Sequence, residues 1–281
     1  MKNYPASEAI TGIGSTNMIL IPVDEQARID CQALDTLLAE CVMRRQAVYA
    51  IVVIMGTTEH GSVDPLSKVL ALRRKYQQHG LSFLVHVDAA WGGYFMSMLV
   101  PNPDVTSSES TLDGPTLFVT AHTANELLHL RHADTVTLDP HKSGYSPYPA
   151  GALCYKDGRL RYMVTWNSPV IGFEDESLKM GVYGIEGRYA PVLYYNTLRL
   201  LSADDSFFIS KPGAAPVAVW LGHEVIGLHS GGFGYLLGQS VFASTKVKSH
   251  IPSLCHHVYE KFLNTRCTAT GQQCRLAIRI L

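Results

Sequence analysis

Thr135-Val136-Thr137-Leu138-Asp139-Pro140-His141-Lys142 is an apolar, β-branched run that stops at a proline. A histidine and a lysine follow, then the turn-rich Ser143-Gly144-Tyr145-Ser146-Pro147-Tyr148-Pro149. The pattern delivers a lysine at the end of a buried strand. Desolvation of such an amine favours its neutral, nucleophilic form, which a Schiff-base lysine requires. The ordinary alternative is a surface lysine in a strand-to-loop turn, because lysines favour surfaces.

A second segment bears on that choice. Leu84-Val85-His86-Val87-Asp88-Ala89-Ala90-Trp91-Gly92-Gly93 reads as another buried strand, ending in an aspartate, two alanines and two glycines. A carboxylate at a strand end can pair with a protonated pyridine nitrogen, and the small Ala90 lets a flat ring lie against the backbone. A lysine for an imine and an aspartate for a pyridinium are the two groups that a pyridoxal phosphate enzyme must supply. Taken alone, the Asp88 segment also fits a structural strand-end turn. The two segments together, in this order, point to the cofactor.

On these residues the chain resembles the pyridoxal-phosphate-dependent amino acid decarboxylases of group II, the glutamate/aromatic type, and within them the tyrosine decarboxylases. The latter carry Asp-Pro-His-Lys followed by Gly-Tyr-x-Pro-Tyr. Here the same order is Asp139-Pro140-His141-Lys142, then Gly144-Tyr145-Ser146-Pro147-Tyr148. The resemblance runs with interruptions from about Ile10 to about Arg266. It implies an α/β fold: the aspartate aminotransferase-like large domain (fold type I for this cofactor), with a mostly parallel sheet flanked by helices, incomplete at both ends.

The resemblance also implies roles. Lys142 would carry pyridoxal 5'-phosphate as an imine and afterwards move protons. Asp88 would keep the pyridine nitrogen protonated, an electrostatic stabilisation in a dry site. Ala90 would pack on one ring face. Asp139 and His141 would lie near the phosphate and the imine, although His141 also reads as a histidine bonded to the sheet end. Tyr148 matches a tyrosine used for proton transfer to the substrate carbon. Thr57, in Gly56-Thr57-Thr58-Glu59-His60-Gly61, would bond the ring substituents or orient Asp88, or else serve only its own turn. The substrate would be an L-amino acid, an aromatic one on the subgroup, and the working unit a homodimer. The alternatives are a non-catalytic remnant or another lysine-linked enzyme of the same fold, such as an aminotransferase.

The remaining composition is that of a globular protein. The chain has 281 residues, 47% of them hydrophobic and 17% charged, with a net charge of −1. That balance does not suggest nucleic acid or an anionic membrane surface as a partner. Cys31, Cys41, Cys154, Cys255, Cys267 and Cys274 form no CxxC pair, which fits reduced thiols in a cytoplasmic setting. No stretch has the length of a membrane span, the N-terminus shows no apolar signal region, and His60, His223, His256 and His257 show no metal spacing.

Along the chain, Met18–Val23 reads as a strand, with Asp30 capping a helix over 31–45. Val48–Met55 is nearly unbroken apolar sequence and suits a strand buried on both sides. Pro65 starts a helix, residues 82–88 form the next strand, and this alternation predicts a mostly parallel sheet. Ligands of such sheets sit beyond the carboxyl ends of the strands, where Thr57, Asp88 and Lys142 all fall. Residues 100–115 read as a loop, 117–131 as helical towards the end, 151–155 as a short strand, and 214–229, 233–247 and 252–264 as helices.

The expected division is a partial cofactor-binding large domain over 1–160 and the remainder of that domain over 161–281, with the small C-terminal domain largely absent. Set against its relatives, the chain lacks the upstream phosphate-binding turn and the ring-stacking histidine. This implies weak cofactor binding and little activity. Arg188–Ile209 interrupts the family pattern between Tyr183-Gly184-Ile185-Glu186-Gly187 and Ser210-Lys211-Pro212-Gly213. The interruption suggests a translated intron or an artefact of the gene model, with an ordinary surface loop as the alternative.

Overall fold

The computed structural model describes residues 14–104, 119–146, 150–159 and 214–247. The expectations for Tyr148, for the segment 188–209, for most of the loop 100–115 and for the helix 252–264 lie outside the described residues.

Asp30 caps helix α1, Cys31–Met43, by accepting from the backbone N–H groups of Gln32 and Ala33, the usual work of an aspartate at this position. Strand β1 is Ala50–Ile54, and Pro65 precedes helix α2, Leu66–Gln77. Strand β2, Leu84–Asp88, ends on the aspartate, and a 3-10 stretch, Gly93–Leu99, follows it. Helix α3, Ala121–His129, leads to strand β3, Thr135–Leu138, and β4, Ala152–Tyr155, returns after the lysine turn. Helix α4 is Ala214–Ile226, and residues 233–247 form helix α5.

The strands lie in chain order, β1-β2-β3-β4. β1 with β2 and β2 with β3 are parallel, and β4 runs antiparallel to β3. The expected α/β class with a mostly parallel sheet and flanking helices is therefore present. The parallel register sets Ile54, Asp88 and Thr137 side by side, so the loops after β1, β2 and β3 leave from one edge.

Two expectations change. Met18–Val23 is not a sheet strand; Val23 makes only an isolated bridge with Ile29. Pro22 has no N–H to give a ladder, and its carbonyl instead accepts from Asp30 N at 2.9 Å, closing a local turn. The second change concerns β1, which is not buried on both faces. Val53, Val85 and Val87 are fully buried with Leu34, Leu38, Leu66, Val69, Leu70 and Leu127 in the main core. Each such side chain contributes about 1.5–3 kcal/mol when removed from water. On the opposite face Val52 and Leu84 are each 42% exposed and Leu153 43%. Successive strand residues point to opposite faces, and among the described residues only one face is fully covered.

Asp64 stitches the entrance of α1 to the end of β1. Its Oδ1 accepts from Ile29 N and its Oδ2 from Ile54 N, both at 2.8 Å. Burial pushes its carboxyl pKa up, opposed by these two donors. Asp64→Ala would strand two backbone donors, and a loss of about 2–3 kcal/mol is expected in urea denaturation. A change below about 0.5 kcal/mol, the level of ordinary surface substitutions, would contradict this role.

Candidate active site

The carboxyl edge of the sheet carries the motif residues. Asp88 closes β2, and its Oδ1 accepts from Ala90 N at 3.2 Å, which folds the Ala89-Ala90 corner back over the carboxylate. Ala89 N reaches across to Thr137 O at 3.1 Å and locks that corner to β3. Four residues beyond the end of β3, Lys142 sits in a tight turn. Its N–H donates to Asp139 O, Tyr145 N to Lys142 O, and Ser146 N to Pro140 O.

Lys142 Nζ lies 2.8 Å from Asp139 Oδ2, and its side chain is 38% exposed. The amine thus meets a carboxylate rather than the apolar walls expected of a buried strand end. The proline turn curls the chain back, so that residue 142 points to residue 139 instead of into the core. His141 Nδ1 donates to the Ala150 carbonyl. A carbonyl only accepts, so this bond fixes the Nδ1–H and leaves Nε2 3.8 Å from the same Asp139 oxygen. Asp139, His141 and Lys142 therefore form one cluster.

Trp91 joins the three loops. Its carbonyl accepts from Ser143 Oγ at 2.5 Å. A Cβ at Gly56 would lie 3.0 Å from Trp91 Cδ1, and Gly56 takes φ +93°, a conformation that favours glycine. Gly92 N donates to Met55 O at 3.0 Å, and a Cβ at Gly92 would collide with that oxygen. Thr57 lies in the first of these loops. Its Oγ1 accepts from Ser62 N at 3.0 Å, so this oxygen serves its own turn.

Period-two alternation puts His86, Asp88, Thr135 and Thr137 on the open face of the sheet. His86 Nδ1 is 2.8 Å from Thr135 Oγ1 and its Nε2 3.2 Å from Thr137 Oγ1. The sequence reading did not place His86 in the site. The signal was its position two residues before Asp88, which fixes the shared face. Tyr94 was also missed. Its hydroxyl lies 2.9 Å from His223 Nε2 on α4. Burial, with Cys154 nearby, pushes its phenol pKa up to about 12.

Burial pushes both imidazole pKa values below 6.5, that of His86 against nearby Asp88 and that of His223 against Glu224. The unfolded chain therefore takes up protons sooner than the folded one as the pH falls through 6.5, and acidification lowers stability. The denaturation midpoint is expected to fall between about pH 7 and pH 5, and to fall less in a His86→Gln, His223→Gln double variant. An identical pH profile for the two proteins would contradict this.

Cys31, Cys41 and Cys154 are free thiols. Among the described residues no cluster of histidine, cysteine and carboxylate side chains could hold a metal ion, and no helix is long and apolar enough to cross a membrane. An open concavity of about 600 Å³, lined by Tyr49, Arg73, Phe83, Leu84 and Asp134 among others, lies at the opposite, amino edge of the sheet. It is remote from this chemistry.

Residues 6–104 match the pyridoxal-dependent decarboxylase conserved domain. The chain is 31% identical to an L-tyrosine decarboxylase of Enterococcus faecium over 268 residues, which cover 90% of this chain and 40% of that protein. It is 28% identical to an L-tyrosine decarboxylase of Levilactobacillus brevis over 275 residues, 92% of this chain and 40% of that protein. The chain thus spans about 40% of the length of these curated relatives. A solved structure of Oryza sativa TDC with PLP and tryptamine shares 17% identity at a TM-score of 0.48, covering 66% of this chain and 33% of that chain. That likeness is too slight to bear on the assignment. The domain match runs through the Asp88 strand end and the tyrosine decarboxylase likeness through the Lys142 turn, so both motifs lie in stretches similar to pyridoxal-dependent decarboxylases.

Proposed function

We propose that this chain provides the lysine-bearing part of an amino acid decarboxylase, a carboxy-lyase acting on an aromatic, tyrosine-like substrate. The observation that carries the reading is the meeting of two motifs at one edge. Asp88 ends β2, and Lys142 follows β3, the strand paired parallel to it. The donor set fits pyridoxal phosphate at two of its groups: an amine for the aldehyde and a carboxylate for the ring nitrogen. When bound, the cofactor supplies an electron sink for the bond that breaks as CO2 leaves.

The chain's own residues have separable tasks. Lys142 Nζ is the point of covalent attachment and a proton carrier. Asp139, at 2.8 Å, holds the lysine in place before attachment and supplies a negative charge to its ammonium. Asp88 faces the open side of the sheet and is the counterion to a protonated ring. Ala90 leaves space against that ring, and Thr57 borders it. His141, with its Nδ1 committed to Ala150, offers Nε2 to the Asp139 side of the cluster. Tyr148, four residues before β4, is the proton donor to the substrate carbon. The tyrosine decarboxylase likeness on both curated relatives supports the aromatic substrate. The residues 1–160 act as cofactor-binding domain, and the protein works as a homodimer.

Borohydride trapping after addition of pyridoxal phosphate, read by peptide mass spectrometry, tests this. The expected result is a pyridoxyl adduct on Lys142. An adduct confined to Lys156 or Lys179 would overturn the assignment.

A further inference from the structure

The turn that carries Lys142 rests on a ring from another element. A Cβ on Gly144 would lie 2.6 Å from Tyr94 Cζ and 2.7 Å from Pro140 O, so the Gly144 backbone lies directly against that ring. Tyr94 is 6% exposed and belongs to the 3-10 stretch that follows Asp88. One short segment therefore connects the aspartate to the floor of the lysine turn.

The ring is held from behind. Its hydroxyl is 2.9 Å from His223 Nε2, and Phe233, at the start of α5, meets it edge-on with centroids 5.7 Å apart. His223 and Phe233 are themselves close to perpendicular, at 86° and 6.1 Å. A second tie joins the turn to α5, where Tyr145 Oη lies 3.1 Å from Ser240 Oγ. The turn needs such support. Tyr145 takes φ +52°, a conformation unfavourable for a side-chain-bearing residue that persists only where its surroundings impose it.

We propose that Tyr94, anchored by His223, is a positioning residue for Lys142: the ring sets the height of the turn, and the α4 histidine fixes the ring. This rests on reading Lys142 as the cofactor lysine. A lysine side chain aimed from a displaced turn misses its target, and a shift near 1 Å can cost up to about a hundredfold in rate.

The test compares Tyr94→Phe, Tyr94→Leu, His223→Gln and His223→Leu with the parent chain. Pyridoxal phosphate is added, the mixture is reduced with borohydride, and the adduct on Lys142 is quantified against that on Lys156. Lys156 is exposed at the far end of β4 and serves as an internal control. Tyr94→Leu is expected to lower the Lys142-to-Lys156 ratio by about tenfold or more, and Tyr94→Phe and His223→Leu by about two- to fivefold. His223→Gln, which keeps an acceptor for the hydroxyl, restores the parent ratio. Melting temperatures measured alongside identify loss through unfolding, which lowers selectivity only in step with the unfolded fraction. A ratio unchanged in Tyr94→Leu, or one that merely tracks unfolding, overturns the proposal.

Hydrogen exchange at the amides of Lys142, Tyr145 and Ser146 separates this idea from the cofactor reading. If the parent shows no preference for Lys142, the functional reading fails. Faster exchange of those amides in Tyr94→Leu then still supports positioning of the turn, and unchanged exchange overturns it.

Discussion

Replacing Lys142 with arginine is expected to abolish borohydride-trapped pyridoxal on that residue while leaving the fold intact. Arginine keeps a cation for Asp139, so the ion pair that closes the turn can persist. It cannot form the imine, because its guanidinium stays protonated and is not a nucleophile. Made in a longer, active parent, the same substitution should lower release of CO2 from L-tyrosine by roughly a thousandfold or more, about 4 kcal/mol of barrier. Circular dichroism on the same samples separates this from misfolding. A folded Lys142→Arg protein that still turns over at the parent rate would remove Lys142 from the mechanism.

Asp88→Asn is the second large effect. The main-chain role of residue 88 does not depend on charge, since its carbonyl accepts from Met55 N at 2.8 Å. An asparagine oxygen can also accept from Ala90 N in place of Oδ1. The substitution therefore removes one negative charge and little else. Trapping of pyridoxal on Lys142 should survive, whereas CO2 release by a longer, active parent carrying the change should drop about 10²- to 10³-fold, the usual consequence of losing one preorganised electrostatic partner. Survival of both would refute Asp88 as the counterion. Loss of both would mean that residue 88 is needed to form the site at all.

Lys142 and Asp88 are both legible in the amino-acid sequence. The β-branched run ending at Asp139-Pro140 and the alternation ending at Asp88 are local patterns, and each strand forms where its pattern lies. The Asp30 cap and the proline start of α2 are equally local, because a helix end is decided by the few groups around its free N–H donors. The same locality explains the failure at Met18–Val23. An apolar run predicts a strand only where a neighbour accepts its ladder, and here Pro22 turns the chain towards Asp30 instead.

What the sequence determined by itself was therefore the placement of these residues on one sheet edge: a lysine after one strand, an aspartate at the end of another, and small residues between. Only the tertiary structure decided the setting of those groups. It put Asp139 2.8 Å from the lysine amine, left one face of β1 open around Val52, and laid the lysine turn on Tyr94 with His223 behind it. The first depends on how tightly the turn after Pro140 curls, and the others join residues far apart in the chain or depend on which face a neighbouring layer covers. Spacing in one dimension carries the period of a strand, but it does not say what will pack against it.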